Sequence, residues 1–371
     1  LSQRVQFDFF THYQKGEIVM TLKIIASENT KKKPEGPLGF GRYFTDHMFM
    51  MNYKEGKGWH DARIVPYQPL CLDPAAMVFH YGQAIFEGLK VYRNPDGELQ
   101  FFRIMDNLNR FNRSADRLCI PNIDTEFVLG CIKQLVELDK AWVPTEYGQS
   151  LYVRPFAIAA DPFLGVKVAE SYIFMVILSP VANYYAEGIH PVKILVENEY
   201  VRSVRGGMGF AKAAGNYACS LIADATAKKY GCSQVLWLDG VERKYIEEVG
   251  SMNILFVIDG KLVTPSLDGS ILAGITRDSI LKLASSMGIP VEERKISIQE
   301  VAEAHAKGTL SEVFGAGTAA VVSPVGTLIW EGKEYTIGDG GIGPVTQKLY
   351  DELTGIQYGV KPDPMGWITK L

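Results

Sequence analysis

The most apolar run in the sequence, residues 172–178, is no longer than a β-strand, so the interior must be assembled from many short elements. No run reaches the ~20 apolar residues that cross a bilayer, and no membrane partner is expected. At 371 residues the chain exceeds one comfortable core, and two domains are expected. A net charge of −4 gives no electrostatic reason to expect nucleic acid or an anionic membrane. Cys71, Cys119, Cys131, Cys219 and Cys232 are odd in number and scattered, with no Cys-x-x-Cys. They argue against a disulfide framework or a zinc site, and for reduced thiols in the cytoplasm. Residues 1–30 lack the apolar stretch of a signal peptide. Leu1 stands where an initiating methionine would, which leaves a previously cleaved transit peptide open.

Residues 1–38 are polar and read as a loosely held arm. Apolar runs predict strands at 46–53, 76–81 and 89–93, then a turn at Asn94-Pro95-Asp96-Gly97 and a strand through Phe102. Leu108, Phe111, Ala115 and Leu118 form one helical stripe over 106–118, with Asp106 as N-cap. Phe127, Cys131, Leu135 and Leu138 form another over 125–140. Strands follow at 150–159 and 171–178. Residues 181–191 read as a linker between a domain over 39–180 and a larger one over 192–371. The second domain is predicted to carry strands at 192–197 and 233–238, a helix over 217–231, and a 253–264 hairpin turning at Asp259-Gly260. Ser297-Ile-Gln-Glu300 is a capping box that opens a helix ending at Gly308. This irregular mixture predicts α+β or mixed α/β domains rather than a regular doubly wound sheet.

Four segments offer chemistry. Arg202-Ser-Val-Arg-Gly-Gly-Met-Gly-Phe-Ala-Lys212-Ala-Ala-Gly-Asn-Tyr217 sets a lysine among glycines just ahead of a helix, where a desolvated amine could form an imine. Taken alone, a lysine in such a context is more often a plain surface residue. Glu247-Glu248 precedes a strand; the pair is either solvated or supplies a carboxylate that keeps a bound pyridinium protonated. Leu272-Ala-Gly-Ile-Thr-Arg277 runs into a helix, so its N–H groups and the Thr276 hydroxyl could cradle a phosphate. Phe314-Gly-Ala-Gly-Thr-Ala319 is a second glycine turn able to face an anion. Either turn could be mere punctuation. Arg103 and Arg154 lie in apolar, strand-like surroundings, which suits a structural ion pair or a ligand contact. Gly206-Gly-Met-Gly209 lacks the dinucleotide-binding spacing and no phosphate-loop pattern occurs, which disfavours a nucleotide enzyme.

Together these segments make the minimal kit for pyridoxal 5'-phosphate, and their order resembles a known family. The landmarks are Phe44-Thr-Asp-His-Met48, His80-Tyr-Gly-Gln-Ala-Ile-Phe-Glu-Gly-Leu-Lys90, Ser150-Leu-Tyr-Val-Arg-Pro155 and Lys212-Ala-Ala-Gly-Asn-Tyr217. Gln234-Val-Leu-Trp-Leu238, Glu248-Val-Gly-Ser-Met-Asn253 and the two turns continue the series. Over residues 41–358 the chain resembles the branched-chain-amino-acid aminotransferases, in their longer, eukaryote-like subgroup. The resemblance implies the two-domain fold type IV of pyridoxal-phosphate-dependent aminotransferases, like D-amino-acid aminotransferase. It implies transamination of L-leucine, L-isoleucine and L-valine with 2-oxoglutarate, an activity used in branched-chain amino-acid biosynthesis.

By the same resemblance Lys212 is the Schiff-base lysine and proton shuttle, Glu248 pairs with the pyridine nitrogen, and Tyr217 pairs with the phenolic oxygen. Arg103, Ile275 and Thr276 are implied to hold the phosphate, with Arg202 near the cofactor. Thr318 and Ala319 are implied to receive the substrate α-carboxylate. Phe86, Tyr152 and Tyr184 wall an apolar pocket in which Arg154 accepts the γ-carboxylate of glutamate. Tyr81 is implied to reach the neighbouring subunit's site in a homodimer. The sequence departs from the family where some members carry a redox Cys-x-x-Cys; Ala320 and Ser323 stand there, so no thiol switch is expected. Ser251 replaces a frequent threonine and keeps the hydroxyl. The rivals are a D-amino-acid aminotransferase or an aminodeoxychorismate lyase, which are shorter and lack the Tyr152-Val-Arg-Pro stretch, and a non-catalytic ligand-binding protein.

Overall fold

The computed structural model describes residues 20–182 and 189–371, together with the backbone of Gln6–Phe9. Most of the expected linker, Tyr184 included, lies outside the described residues. The chain divides into two compact units, Leu1–Ala182 with Gln357–Leu371, and Asn183–Ile356.

The first unit is built on a ten-stranded mixed sheet. Its long central strands, His47–Lys54, Ser171–Val181 and Ser150–Ala159, pair antiparallel in that order. Ala84–Phe86 and Leu89–Arg93 both pair with Ser150–Ala159, which brings Lys90 opposite Tyr152. Helices Ile104–Arg117 and Thr125–Leu138 bury Leu108, Phe111, Ala115, Phe127, Cys131 and Leu135 in one core with Phe49, Phe101 and Phe174. Both predicted stripes therefore face the interior, although Leu138 is exposed at its helix end.

Several expectations are corrected. Residues 77–81 are not a strand but one helical turn, Met77–Tyr81, which ends where Gly82 turns left-handed and donates to Val78 O. Arg103, not Asp106, occupies the N-cap position of helix Ile104–Arg117 without a side-chain capping bond, and Asp106 sits in its first turn. The arm is partly structured: Leu22–Ile25 pairs parallel with Gly58–Pro66 because its alternation buries Leu22 and Ile24. The chain's end does not stay with the second unit, since Ile368–Lys370 pairs antiparallel with Leu99–Phe102.

The second unit holds a nine-stranded mixed sheet. Six strands close on themselves: Ile246–Val249, Gln234–Leu238, Val192–Val196, Val321–Trp330, Leu310–Gly317 and Met252–Ile258, which returns to Ile246–Val249. Val192–Val196 is parallel to both neighbours; the other pairings in this ring are antiparallel. Ile246–Val249, which completes the ring, is buried at all four positions. The predicted hairpin is present, with Asp259 and Gly260 both at positive φ. The helix expected over 217–231 is two, Ala214–Ala218 and Leu221–Lys229. It breaks where the Ser220 hydroxyl donates to Tyr217 O and competes with the backbone ladder.

Candidate active site

In the second unit the glycine loop is wound around two side chains. Asn216 Nδ2 donates to Met208 O (2.9 Å) and Ala211 O (2.8 Å), and Arg202 Nη2 donates to Gly209 O (3.2 Å) and Ser270 O (2.5 Å). This ties the loop to the start of helix Ala214–Ala218 and leaves Lys212 half-buried between the fully enclosed Ala211 and Ala213. The Lys212 amine donates to Tyr217 Oη at 2.9 Å. An amine and a phenol five residues apart, one ahead of the helix and one on it, are thereby brought to one point.

Glu248 lies on the closing strand and is 3% exposed. Its Oε1 accepts from Leu272 N at 2.7 Å, and its Oε2 is 2.9 Å from Arg202 Nε in an ion pair rather than an aligned hydrogen bond. Leu272 is clamped a second time, because its carbonyl accepts from Asn253 Nδ2 at 2.9 Å. Leu272 leads through Gly274 into helix Ile275–Ser286, whose first turn has no side-chain cap. A Cβ at Gly274 would fall 1.9 Å from Asn253 Oδ1, so glycine is required for this approach. Ile275 and Thr276 open the helix, where an anion meets N–H groups and the positive dipole end. Thr318 and Ala319 occupy the turn between the Leu310–Gly317 and Val321–Trp330 strands. Val321, which closes that turn, has φ +62°, a conformation β-branched residues adopt only under local strain.

A cleft is lined by Arg202, Asn216, Tyr217, Glu248 and Leu272. A roomier cavity of about 380 Å³ carries Glu247, Asp268 and Ser270 but none of the residues Lys212, Tyr217 or Glu248. We place the chemistry at the smaller cleft, because the phenol and the locked carboxylate meet there. Burial pushes the Glu247 carboxyl up to about 7, against the opposing hydrogen bond from Ser270 and the charge of Arg202.

The first unit collects three of the predicted pocket residues. The Arg154 guanidinium lies 4.6 Å from the Phe86 ring centre and 5.3 Å from that of Tyr152, and its Nη2 donates to Tyr152 Oη at 3.2 Å. Arg154 Nε is buried without a hydrogen-bond partner among the described residues, so one donor of the fork remains for an anion. Arg103 Nε donates to Asp106 Oδ2 at 2.7 Å, and its guanidinium stands 5.4 Å from the Trp367 ring. Tyr81 is 37% exposed and its hydroxyl donates to Leu164 O.

Some partners escaped the sequence reading. Phe40 packs edge-on to Tyr152 at 4.9 Å, and Gly88 lies beneath the Tyr152 hydroxyl. The signal for Gly88 was present in the Phe86-Glu-Gly-Leu-Lys90 motif. For Ser270, Asn253 and Trp367 no local signal exists, because their roles depend on tertiary contacts.

The donor set fits pyridoxal phosphate: an amine beside a phenol, a carboxylate locked by Arg202 and Leu272, and a helix start with no side-chain cap. The family described as amino-transferase class IV matches residues 84–328. Branched-chain-amino-acid aminotransferase 2 of Bacillus subtilis (strain 168) is 57% identical over 95% of this chain and 97% of its own length. The branched-chain-amino-acid aminotransferase of Mycobacterium tuberculosis (strain CDC 1551 / Oshkosh) is 50% identical over 90% of this chain and 92% of its own. Among solved structures, the branched-chain amino acid aminotransferase from Escherichia coli has a TM-score of 0.71 at 27% identity, covering 87% of this chain and 98% of that one. The branched-chain aminotransferase from the thermophilic archaeon Thermoproteus uzoniensis, solved with norvaline, has a TM-score of 0.72 at 26% identity, covering 87% and 99%.

Proposed function

The chain belongs to the branched-chain-amino-acid aminotransferase family within amino-transferase class IV, and from that premise we propose that it exchanges amino groups between L-leucine, L-isoleucine or L-valine and 2-oxoglutarate, with pyridoxal 5'-phosphate carried on Lys212. The observation that carries the reading is the 2.9 Å contact of the Lys212 amine with the Tyr217 phenol, in the unit that locks Glu248 between Arg202 and Leu272 N–H.

When bound, the cofactor supplies an electron sink for the pair left as the substrate's α-C–H bond breaks. Lys212 Nζ takes that α-proton as general base and passes it to the cofactor's C4′ carbon. Tyr217 Oη lies within reach of Lys212 and orients the amine while binding the phenolic oxygen. Glu248 holds a proton at the pyridine nitrogen, and its own two oxygens are fixed in advance by Arg202 and Leu272. Ile275 and Thr276 hold the phosphate at the helix start, with Arg103 as its arginine, and Arg202 lies near the cofactor through its pairing with Glu248. The N–H groups of the Thr318-Ala319 turn bind the α-carboxylate. Phe86, Tyr152 and Tyr184 offer the apolar wall, and the spare donor of Arg154 serves the γ-carboxylate of glutamate. Such a wall separates single methylenes by only ~1–3 kcal/mol, so all three branched substrates are accepted.

We assign a homodimer in which Tyr81 serves the partner's site. Beside Tyr81 the first unit exposes Phe79, Phe163, Leu164, Val166 and Val168, an apolar surface of the kind a second copy covers. The proposed compartment is the cytoplasm, in keeping with five free cysteines. Among the described residues no helix is long and apolar enough to cross a membrane.

Borohydride treatment of the yellow protein should fix the cofactor to the peptide containing Lys212. L-Leucine with 2-oxoglutarate should yield glutamate, whereas D-alanine should not. Label on another lysine, or activity with D-alanine alone, overturns the assignment.

A further inference from the structure

Glu247 takes no part in the reaction described above, yet it is the most constrained acid beside the site. It is 6% exposed and adjoins Glu248 on the closing strand. Its Oε1 is 2.5 Å from Ser270 Oγ, and its Oε2 is buried without a hydrogen-bond partner among the described residues. Ser270 Oγ is also 3.1 Å from Asp268 Oδ1. A hydroxyl owns one hydrogen and cannot donate to two carboxylates. To satisfy both contacts, one acid must bring its own proton. Asp268 is partly exposed and already paired with the Arg205 guanidinium at 3.2 Å. Glu247 is the acid that burial disfavours as an anion. The consistent arrangement is therefore Glu247 Oε1–H donating to Ser270 Oγ, and Ser270 Oγ–H donating to Asp268.

Ser270 is also the anchor of Arg202, whose Nη2 donates to the Ser270 carbonyl at 2.5 Å and whose Nε faces Glu248. We propose that Glu247 is a positioning residue that carries a proton and, through Ser270, keeps Arg202 committed to Glu248. With Glu247 neutral, Arg202 faces one carboxylate and stays on Glu248. With Glu247 ionised, Arg202 is shared between two anions and its hold on Glu248 loosens. The charged groups acting on Glu247 are Arg202, Asp268 and Glu248; Arg205, Asp239, Glu242 and Lys295 line the cavity it borders. The proton falls away as pH rises past about 7.

The inference rests on the proposed role of Glu248, so its test has an arm that does not. Infrared difference spectra of the holoenzyme against Glu247→Gln at about pH 6 should show a carboxylic-acid carbonyl band present only in the wild type. A second arm compares variants. Glu247→Ala and Ser270→Ala each remove the Glu247–Ser270 Oγ contact that steadies the Ser270 carbonyl under Arg202, and each should lower kcat for leucine roughly tenfold with KM little changed. Glu247→Gln, the neutral isostere, should recover most of that loss. It should also flatten the pH dependence of the cofactor's absorbance between about pH 6 and 8. Absence of the acid band, its survival in Glu247→Gln, or no recovery by glutamine over alanine overturns the proposal. Failure of the Glu248 role alone leaves the infrared band in place and abolishes only the kinetic and absorbance effects.

Discussion

Gly88→Ala offers a direct probe of the pocket, because the structure states what the added methyl would meet. A Cβ at Gly88 lands 1.9 Å from Tyr152 Oη and 2.7 Å from its Cζ. Non-bonded heavy atoms settle at about 3.5 Å, so the phenol must withdraw by roughly 1.5 Å. It has little room to do so. Tyr152 is 8% exposed, its hydroxyl accepts from Arg154 Nη2 at 3.2 Å, and Phe40 abuts its ring. Gly88 does not occupy the left-handed region, so alanine meets no backbone penalty and the effect is purely steric. Overpacking of this kind costs about 1–3 kcal/mol, seen as a lowered urea midpoint. If the proposed substrate-wall role of Tyr152 holds, displacing its phenol by about 1 Å lowers kcat/KM up to ~100-fold, and a loss of at least about tenfold for leucine is expected. Tyr152→Phe removes the nearer clash but leaves Cζ in place, so the double variant should regain part of the stability, with a coupling energy of about 0.5–3 kcal/mol. Wild-type stability in Gly88→Ala, or strict additivity in the double variant, would refute the reasoning.

Lys90 is buried in Leu89–Arg93, and burial lowers its pKa to about 8. The unfolded chain holds that proton more tightly between about pH 8 and 10.4, so stability rises with pH across this window, and the full cost of about 3 kcal/mol is present below it. Lys90→Met should raise unfolding free energy at neutral pH by up to about 3 kcal/mol and by less at about pH 10, and equal effects at both pH values in urea titrations would count against this account. Glu312 accepts from Val345 N (3.0 Å), Thr346 N (2.7 Å) and Thr346 Oγ1 (2.6 Å), which caps helix Pro344–Gln357. Glu312→Ala should cost about 2–4 kcal/mol of unfolding free energy and Glu312→Gln roughly half of that; a loss under about 1 kcal/mol in the alanine variant would remove the capping role.

Periodicity and turn chemistry made much of the fold legible. The helical stripes of Leu108-Phe111-Ala115 and Phe127-Cys131-Leu135, the 252–264 hairpin and the Ser297 cap are set by neighbours in sequence. Long-range pairing was not legible. Ile368–Lys370 is a strand only because Leu99–Phe102 offers it an edge, and nothing near it in sequence announces that edge. Glycine misleads in a similar way. As a sequence signal it marks left-handed turns, yet Gly88 is needed for the space above its Cα, which a distant phenol occupies. The acidic pair shows why the site itself was only half readable. Glu247-Glu248 in an ordinary half-buried strand would point one carboxylate inward and the other to water. Here both faces of Ile246–Val249 are covered, so neither acid reaches solvent. Two adjacent buried carboxylates cannot both be anions beside one arginine without a large desolvation cost. Burial on both faces of one strand thus imposes a division of labour: Glu248 takes Arg202 as its partner, and Glu247 keeps its proton.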